Sequence, residues 1–368
     1  MVFVNIALIG AFLLSGCVFF GISIGKKYPG VETPGGGVYK SFDQGLTWQT
    51  KNTIRTVKKK TTSIDNLHVK DIQFDPQDHL TMYAVSFYRG LWVTYNGGEN
   101  WQSILDDPVQ ALAVDPRVRE VIYAARNNQV VKSTNGGNAW KTVFLEGSNQ
   151  NISALAVDTA HNKIFVGAEN GRIFESLNGG VSWKTIATIG GKVAKLLVHP
   201  LDSRIMYVGT EEHGVFKSAD GGSTWTFLEG LSSVSGAETF GDLALNSANV
   251  LEVFYGSRFG LLKSADGGAT FASISLLTPN PLAKIEAVAV DPRDSNIIFY
   301  ASSTVLFTTR DGGGTWVTEA LPISKKVSRI LIDPSDSRTM YVGFHMIPET
   351  QASKNAQVKQ KKPSRTKL

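Results

Sequence analysis

A chain of 368 residues with 42% hydrophobic and 10% aromatic residues carries enough apolar side chain to bury a core, which excludes a disordered polymer. Its single cysteine excludes a disulfide framework and leaves no second thiol for catalysis. The net charge of +5 does not mark a nucleic-acid surface. Lys354, Lys359, Lys361, Lys362, Arg365 and Lys367, with no acid among them, outweigh it, and no stripe of Lys and Arg interleaved with aromatics runs through the rest.

From the N-terminus, Val2 to Ile24 is almost wholly apolar, and within it Leu14-Ser15-Gly16-Cys17 resembles a bacterial lipobox, where the segment before Cys is cleaved and the Cys receives lipid. Cys17 is the one cysteine of the chain, so lipidation at Cys17 with an extracytoplasmic location at the cell membrane is expected. The alternative is an uncleaved helix. No Lys or Arg precedes the run, Lys26-Lys27 follow it, and its length as a helix is roughly 34 Å, enough to span a bilayer. The positive-inside rule would then hold the rest of the chain in the cytoplasm. Segment 1–24 is therefore signal peptide or anchor, and 25–36, with Pro29 and Pro34, is a tether.

Beyond the tether a turn of the form Ser/Thr-x-Asp/Asn-x-Gly-x-x-Trp/Phe recurs seven times. Its acids and amides are Asp43, Asn96, Asn135, Asn178, Asp220, Asp266 and Asp311. The closing aromatics, Trp48, Trp101, Trp140, Trp183, Trp225, Phe271 and Trp316, lie 53, 39, 43, 42, 46 and 45 residues apart, the period of a four-stranded propeller blade. Each turn stands between an apolar strand such as Gly214-Val-Phe-Lys217 and a strand led by the aromatic. It therefore reads as a hairpin in which the acid accepts from the following backbone and Gly supplies positive φ. Six of the seven Trp fall in these turns, so they are read as packing residues.

About half a period before each turn an apolar strand ends in Asp-Pro or a relative, as in Leu112 to Pro116 or Leu196 to Pro200, and another strand follows. One unit is thus strand A, Asp-Pro turn, strand B, loop, strand C, turn motif, strand D. The first motif, from about Gly37 to Thr50, has only C and D, and the last strand pair, from about Val327 to Phe344, has only A and B. Joining them makes a seven-bladed all-β propeller over 37–345 with four-stranded blades. The N-terminal strands complete the C-terminal blade, which leaves no open sheet edge. No room remains for a second domain, and 346–368 is a basic, disordered tail.

The motif Ser218-Ala-Asp220-Gly-Gly222-Ser-Thr224-Trp225, with the upstream Tyr207-Val-Gly209-Thr, resembles the Asp-box (bacterial neuraminidase repeat) propellers. That superfamily includes sialidases, xyloglucanase-type glycoside hydrolases, the sortilin luminal domain and the photosystem II assembly factor family. The resemblance implies the fold and leaves function open, because the boxes are structural in enzymes and binding proteins alike.

Enzymatic readings find little support in the residues. The Arg-Ile-Pro motif of sialidases is absent, and Arg89, Arg126 and Arg258, which share equivalent B–C loops, read as solvated rather than as a carboxylate-gripping triad. Xyloglucanase-type enzymes place their carboxylates between two propellers. No metal site or cofactor is expected, since no His/Cys/Asp cluster has ligand spacing and no Gly-rich phosphate loop follows a strand. The expected function is a membrane-anchored, extracytoplasmic scaffold, monomeric, binding an unknown protein or glycan and no nucleic acid. The alternatives are a sialidase-like or xyloglucanase-like hydrolase and a non-catalytic glycan-binding protein.

The face carrying the B–C and D–A connections is the candidate binding face. It displays Tyr88, Arg89, Arg126, Asn127, Glu169, Arg172, Glu211, Glu212, His213, Arg258, Phe259 and His345, and includes the long connection from Lys51 to His68. Aligning the A strands sets Asp71, Ala111, Ala154, Lys195, Asp242, Ala287 and Arg329 at one level near the channel mouth. Lys195 with Asp242, and Arg329 with Asp71, fall in neighbouring blades, so two inter-blade salt bridges are expected there. Four unpaired charges would point to a ligand site instead.

Overall fold

Each box closes on itself through a hydroxyl that works twice. The Ser41 hydroxyl donates to Asp43 Oδ1 at 2.7 Å and accepts the Gly45 amide at 2.8 Å, while Asp43 in turn accepts the Thr47 amide at 2.8 Å. The same hydroxyl-to-glycine-amide bond recurs at Thr94, Ser133, Ser176, Ser218, Ser264 and Thr309, at 2.7 to 3.0 Å. Glycine is required where the turn doubles back: Gly221 and Gly222 sit at φ of 70° and 92°, which a side chain would strain. Because every bond lies within seven residues, the turn follows from local sequence.

The computed structural model describes residues 36–345 apart from 58, 59, 87, 159 and 278–283. Cys17, the apolar segment 1–24, residues 25–35 and the basic tail 346–368 lie outside the described residues.

Seven four-stranded antiparallel sheets form the blades. Blade 1 comprises Val69–Asp75, Asp78–Ser86, Gly90–Thr94 and Gln102–Leu105, and blades 2 to 6 repeat this order from Ala111 to Glu319. Blade 7 takes strands A and B from Lys326–Ile332 and Met340–His345, and C and D from Gly37–Ser41 and Gln49–Thr50. Five residue pairs, from Gly37 opposite Phe344 to Ser41 opposite Met340, close the ring. The N-terminal strands thus complete the C-terminal blade.

The A–B turns are also built alike. Asp75, Asp115, Asp158, Asn246, Asp291 and Asp333 each accept the backbone amide two residues on, at 2.7 to 2.9 Å, and in blade 4 His199 Nδ1 does the same at 3.1 Å. These Asx-type bonds supply the turn that Asp, Asn or an accepting imidazole can make and an apolar residue cannot.

Blades are joined by side chains reaching one neighbour on. Tyr207 Oη and Lys217 Nζ of blade 4 donate to the Gly267 carbonyl in the box of blade 5, at 3.0 and 2.7 Å. Lys132 Nζ of blade 2 reaches Gly179 in blade 3 at 3.0 Å, and Tyr341 of blade 7 reaches Gly97 in blade 1 at 3.3 Å. In the opposite direction the box indoles of Trp101, Trp140, Trp183 and Trp316 donate to carbonyls of the preceding blade, Lys51, Ile104, Val143 and Ser275. The apolar core is likewise shared: Tyr123, Ala125 and Val130 of blade 2 pack with Ile152, Leu155, Ile164 and Val166 of blade 3. These four Trp residues therefore serve both packing and clasping.

The long connection from Lys51 to His68 has secondary structure of its own. It forms a hairpin of Thr53–Val57 with Lys60–Ser63. Ile64 and Leu67 are buried with Val69, Ile72, Trp92 and Trp101, and Trp101 donates its amide to the Thr53 carbonyl at 2.8 Å. The Thr, Ile and Val of this segment suit a pleated strand.

Candidate functional site

Residues of the A strands of all seven blades line a central cavity of about 430 Å³. In six of the seven blades a β-bulge interrupts the A–B ladder just before the aligned mouth position: Val69/Asp71, Ile152/Ala154, Val193/Lys195, Phe240/Asp242, Ile285/Ala287 and Val327/Arg329. A bulge sets two residues opposite one and re-aims a side chain. Beside Asp71, Ala111, Ala154, Lys195, Asp242 and Arg329 of the aligned level, the lining includes a second level of Lys70, Ser153, Glu286 and Ser328. A period-two reading of the strands gives no sign of this second level.

At the aligned level four charges make one network. Lys195 Nζ lies 2.5 Å from Asp242 Oδ1 and 2.9 Å from the Leu243 carbonyl, and Arg329 Nε lies 3.3 Å from Asp71 Oδ1. Arg329 Nη1 also approaches Asp242 Oδ2 at 3.9 Å, across the small Ala287 of blade 6, and so links the two pairs. The carboxylates are held further by backbone amides. Asp242 accepts from Leu243 and Val288 at 2.9 and 3.0 Å, and Asp71 accepts from Ile72 at 2.9 Å and from Gln73 Nε2 at 2.8 Å.

Titration follows this geometry. Burial lowers the pKa of Lys195, with Asp242 pulling the other way. Burial alone would raise Asp242, but the positive charges of Lys195 and Arg329 outweigh it and hold the carboxyl below its usual range. Burial pushes the Lys70 ammonium down to about 8 against the pull of Asp71, and Lys70 Nζ donates to the Gln110 carbonyl of blade 2.

The outer face is mixed and mostly paired. Arg126 meets Asp107 at 2.9 Å. Arg172 meets the fully buried Glu146 carboxylate at 2.9 Å and lies over the Phe174 ring at 4.8 Å, so it is tied to the structure beneath it. Glu169 and Glu211, from neighbouring blades, are bridged by Lys192 at 3.2 and 2.9 Å. Lys192 sits in a D–A connection, outside the residues singled out from the sequence. Burial disfavours its charge, and the two carboxylates reverse that and raise its pKa. His213 packs on Gly190 and Gly191, while Tyr88 stands edge-on to His68, and His68 to His345, at 5.3 and 6.2 Å between ring centres. Arg89, Glu212 and Arg258 are exposed. None of Arg89, Arg126 and Arg258 lines the cavity; the arginine that does is Arg329.

Glu319, a carboxyl whose pKa burial raises, sits on the outermost strand of blade 6, remote from the cavity-lining strand. Among the described residues no group of His, Cys, Asp and Glu is arranged to hold a metal ion. The box acids point into their own turns. Asp220 and Asp266 are held down to about 2 by the side chains and amides of Thr224 and Thr270.

The same fold occurs in a GH74 xyloglucanase from Xanthomonas campestris and a GH74 enzyme from Niastella koreensis, each with TM-score 0.61 and 18% identity, covering 76% of this chain and 51% of the other. It occurs also in YCF48 from Cyanidioschyzon merolae, with TM-score 0.59 and 16% identity over 76% of this chain and 96% of that one. A structure of YCF48 bound to a D1 peptide matches with TM-score 0.59 and 14% identity, over 80% and 96%. The chain thus spans about half the length of the two GH74 enzymes and nearly all of YCF48. Identities this low establish the shared propeller fold. No family model and no curated protein matches the chain.

Proposed function

We propose that this propeller is a binding scaffold whose B–C and D–A face docks a protein, tethered to the extracytoplasmic side of the membrane through lipid on Cys17. The observation that carries the reading is the ion-paired, mixed-charge face around Lys192, Glu169 and Glu211, with exposed Tyr88, Arg89, Glu212 and Arg258 beside it. A hydrolase needs a carboxyl poised as an acid in a cleft, and Asp242 in the cavity is instead pulled down by two cations. The likeness to a peptide-bound propeller over 96% of that chain supports a protein ligand. The first and last described residues, Gly36 and His345, meet at the edge of this same face, through the pairing of Gly37 with Phe344. A tether there would hold the face toward the membrane.

Photo-crosslinking residues at Tyr88 and Arg258 in the full chain, expressed in its native membranes, should yield the same discrete adduct, and one at Val181 on the box face should not. Equal adducts from both faces, or sialoside or xyloglucan hydrolysis lost in a cavity variant, would refute the scaffold. Cys17→Ser should leave an unprocessed precursor; an intact Met1 on the mature membrane protein would favour the helical anchor.

A further inference from the structure

The seven A–B turns share one hydrogen bond, and in blade 4 its acceptor is one that mild acid removes. Asp75, Asp115, Asp158, Asp291 and Asp333 accept through carboxylates and Asn246 through an amide oxygen, whereas His199 accepts the Leu201 amide through Nδ1 at 3.1 Å. An Nδ1 that accepts leaves the single proton of the neutral ring on Nε2, so the next proton enters at Nδ1. That proton sets an N–H against the Leu201 N–H and charges a side chain with 0% exposure. The charged groups around the ring do not offset this. In its own turn Asp202 favours the protonated ring but is engaged by Arg204 through two hydrogen bonds, at 3.0 and 2.7 Å. On blade 5 the carbonyls of Asn246 and Asn249 favour it too, while the carboxylate behind them, Glu252, is taken up by Asn246 Nδ2 and by Lys263. Burial outweighs all of these and holds the imidazole below its ordinary pKa. Acid acts oppositely on blades 1 and 3, where His79 and His161 face the carboxylates of Asp333 and Asp158 at 3.4 and 3.1 Å and gain an ion pair on protonation.

Blade 4 is also the blade that lacks an indole clasp on both sides. The Trp225 indole donates to Gly222 in its own box at 3.0 Å, and Phe271 of blade 5 has no N–H to give, so neither seam of blade 4 carries the bond that joins four other pairs of blades. Tyr207, Lys217 and the Lys195–Asp242 pair tie it to blade 5 instead. We propose that His199 is an acid-operated latch: mild acid opens the A–B turn of blade 4 and loosens the strand that runs from it to Glu211 and Glu212 on the B–C face. That strand is Met206–Thr210, and beyond its end the Glu211 amide donates to the Lys192 carbonyl at 3.0 Å. The stability held in the imidazole is complete above about pH 6.5, the ordinary histidine value, and is lost as the pH falls below it toward the lowered folded value. The latch is independent of the scaffold reading, because it is a property of the chain alone.

The test is amide hydrogen exchange of the full chain, read by mass spectrometry with the intrinsic pH dependence divided out. Protection at Leu201 and Glu211 should fall by about threefold to tenfold between pH 7.5 and pH 5.5, about tenfold being the limit one pH unit below the ordinary histidine value. Gln77, Arg117 and Arg293, whose amides are held by Asp75, Asp115 and Asp291, should keep their protection. His199→Asp and His199→Asn install acceptors that this chain itself uses at the equivalent turns, and each should leave Leu201 and Glu211 equally protected at the two pH values. Should one of these variants fold poorly, the other carries the comparison. No loss in the wild type, the same loss in wild type and variants, or a loss shared by Gln77, Arg117 and Arg293 would overturn the latch. Loss at Leu201 with none at Glu211 would overturn its reach across the blade.

Discussion

Asp242→Asn should destabilise the propeller by about 3 kcal/mol, the low end of the cost of breaking a buried ion pair by deleting one partner. The low end applies because the mouth opens to water: the Lys195 and Asp242 side chains retain 20% and 10% exposure. The amide keeps the shape of the carboxylate but removes the counter-charge of Lys195, which is left with the Leu243 carbonyl at 2.9 Å. It also offers one oxygen where two were needed, for the amides of Leu243 and Val288. At about 2.1 cal/mol/K of unfolding entropy per residue over roughly 310 residues, 3 kcal/mol lowers Tm by about 5 °C. Lys195→Met combined with Asp242→Asn removes the stranded cation as well and should recover at least about half of the loss, a coupling of about 1.5 kcal/mol or more. The sign with pH follows from Lys195. Burial already lowers its folded pKa, and loss of Asp242 lowers it further, so the deficit should shrink as the pH rises and the folded amine sheds its proton. Urea unfolding of wild type, Asp242→Asn, Lys195→Met and the double variant at pH 7 and pH 10 measures all of this. A loss below about 1 kcal/mol for Asp242→Asn, or additive single effects, would refute the clasp.

Ending the chain at Lys326 removes most of strand A and all of strand B of blade 7, exposing the edges that Gly37–Ser41 and its partners cover, and should abolish cooperative melting. Ending it at Glu349 should be nearly neutral, and equal melting of the two truncations would disprove the closure. Asp220 and Asp266 have folded pKa values depressed to about 2, so the stability they contribute is complete above about pH 4 and is lost as the pH falls toward 2. The double variant Asp220→Asn, Asp266→Asn should therefore show a flatter acid-unfolding profile by circular dichroism, and an unchanged profile would count against the box acids. Trp101→Phe deletes the indole bond to the Lys51 carbonyl at 2.6 Å in a buried site and should cost about 1–3 kcal/mol in urea unfolding. A neutral result would mean that the box indoles pack without clasping.

The blade count, the strand order and the closure by Gly37–Ser41 were legible in the sequence, because each box and each A–B turn is held by bonds spanning only a few residues. Local chemistry repeated at a fixed period has one solution, a ring of hairpins, and even His199 in place of Asp, or Phe271 in place of Trp, leaves the period intact. The hairpin at Thr53–Val57 broke the period and for that reason escaped notice. The pairs Lys195–Asp242 and Arg329–Asp71 could be anticipated from alignment of the A strands, since a ring makes neighbours of equivalent positions. Lys192 bridging Glu169 to Glu211 could not, because a connection between blades has no repeat to align. Only the tertiary structure decided which further residues face the channel beside the aligned level. The bulges turn Lys70, Glu286 and Ser328 inward against the two-residue alternation, and the small Ala287 lets Arg329 reach Asp242 across a whole blade. The short-range bonds that specify each blade therefore say nothing of what seven blades enclose, since the donors and acceptors that meet there are set by the closing of the ring.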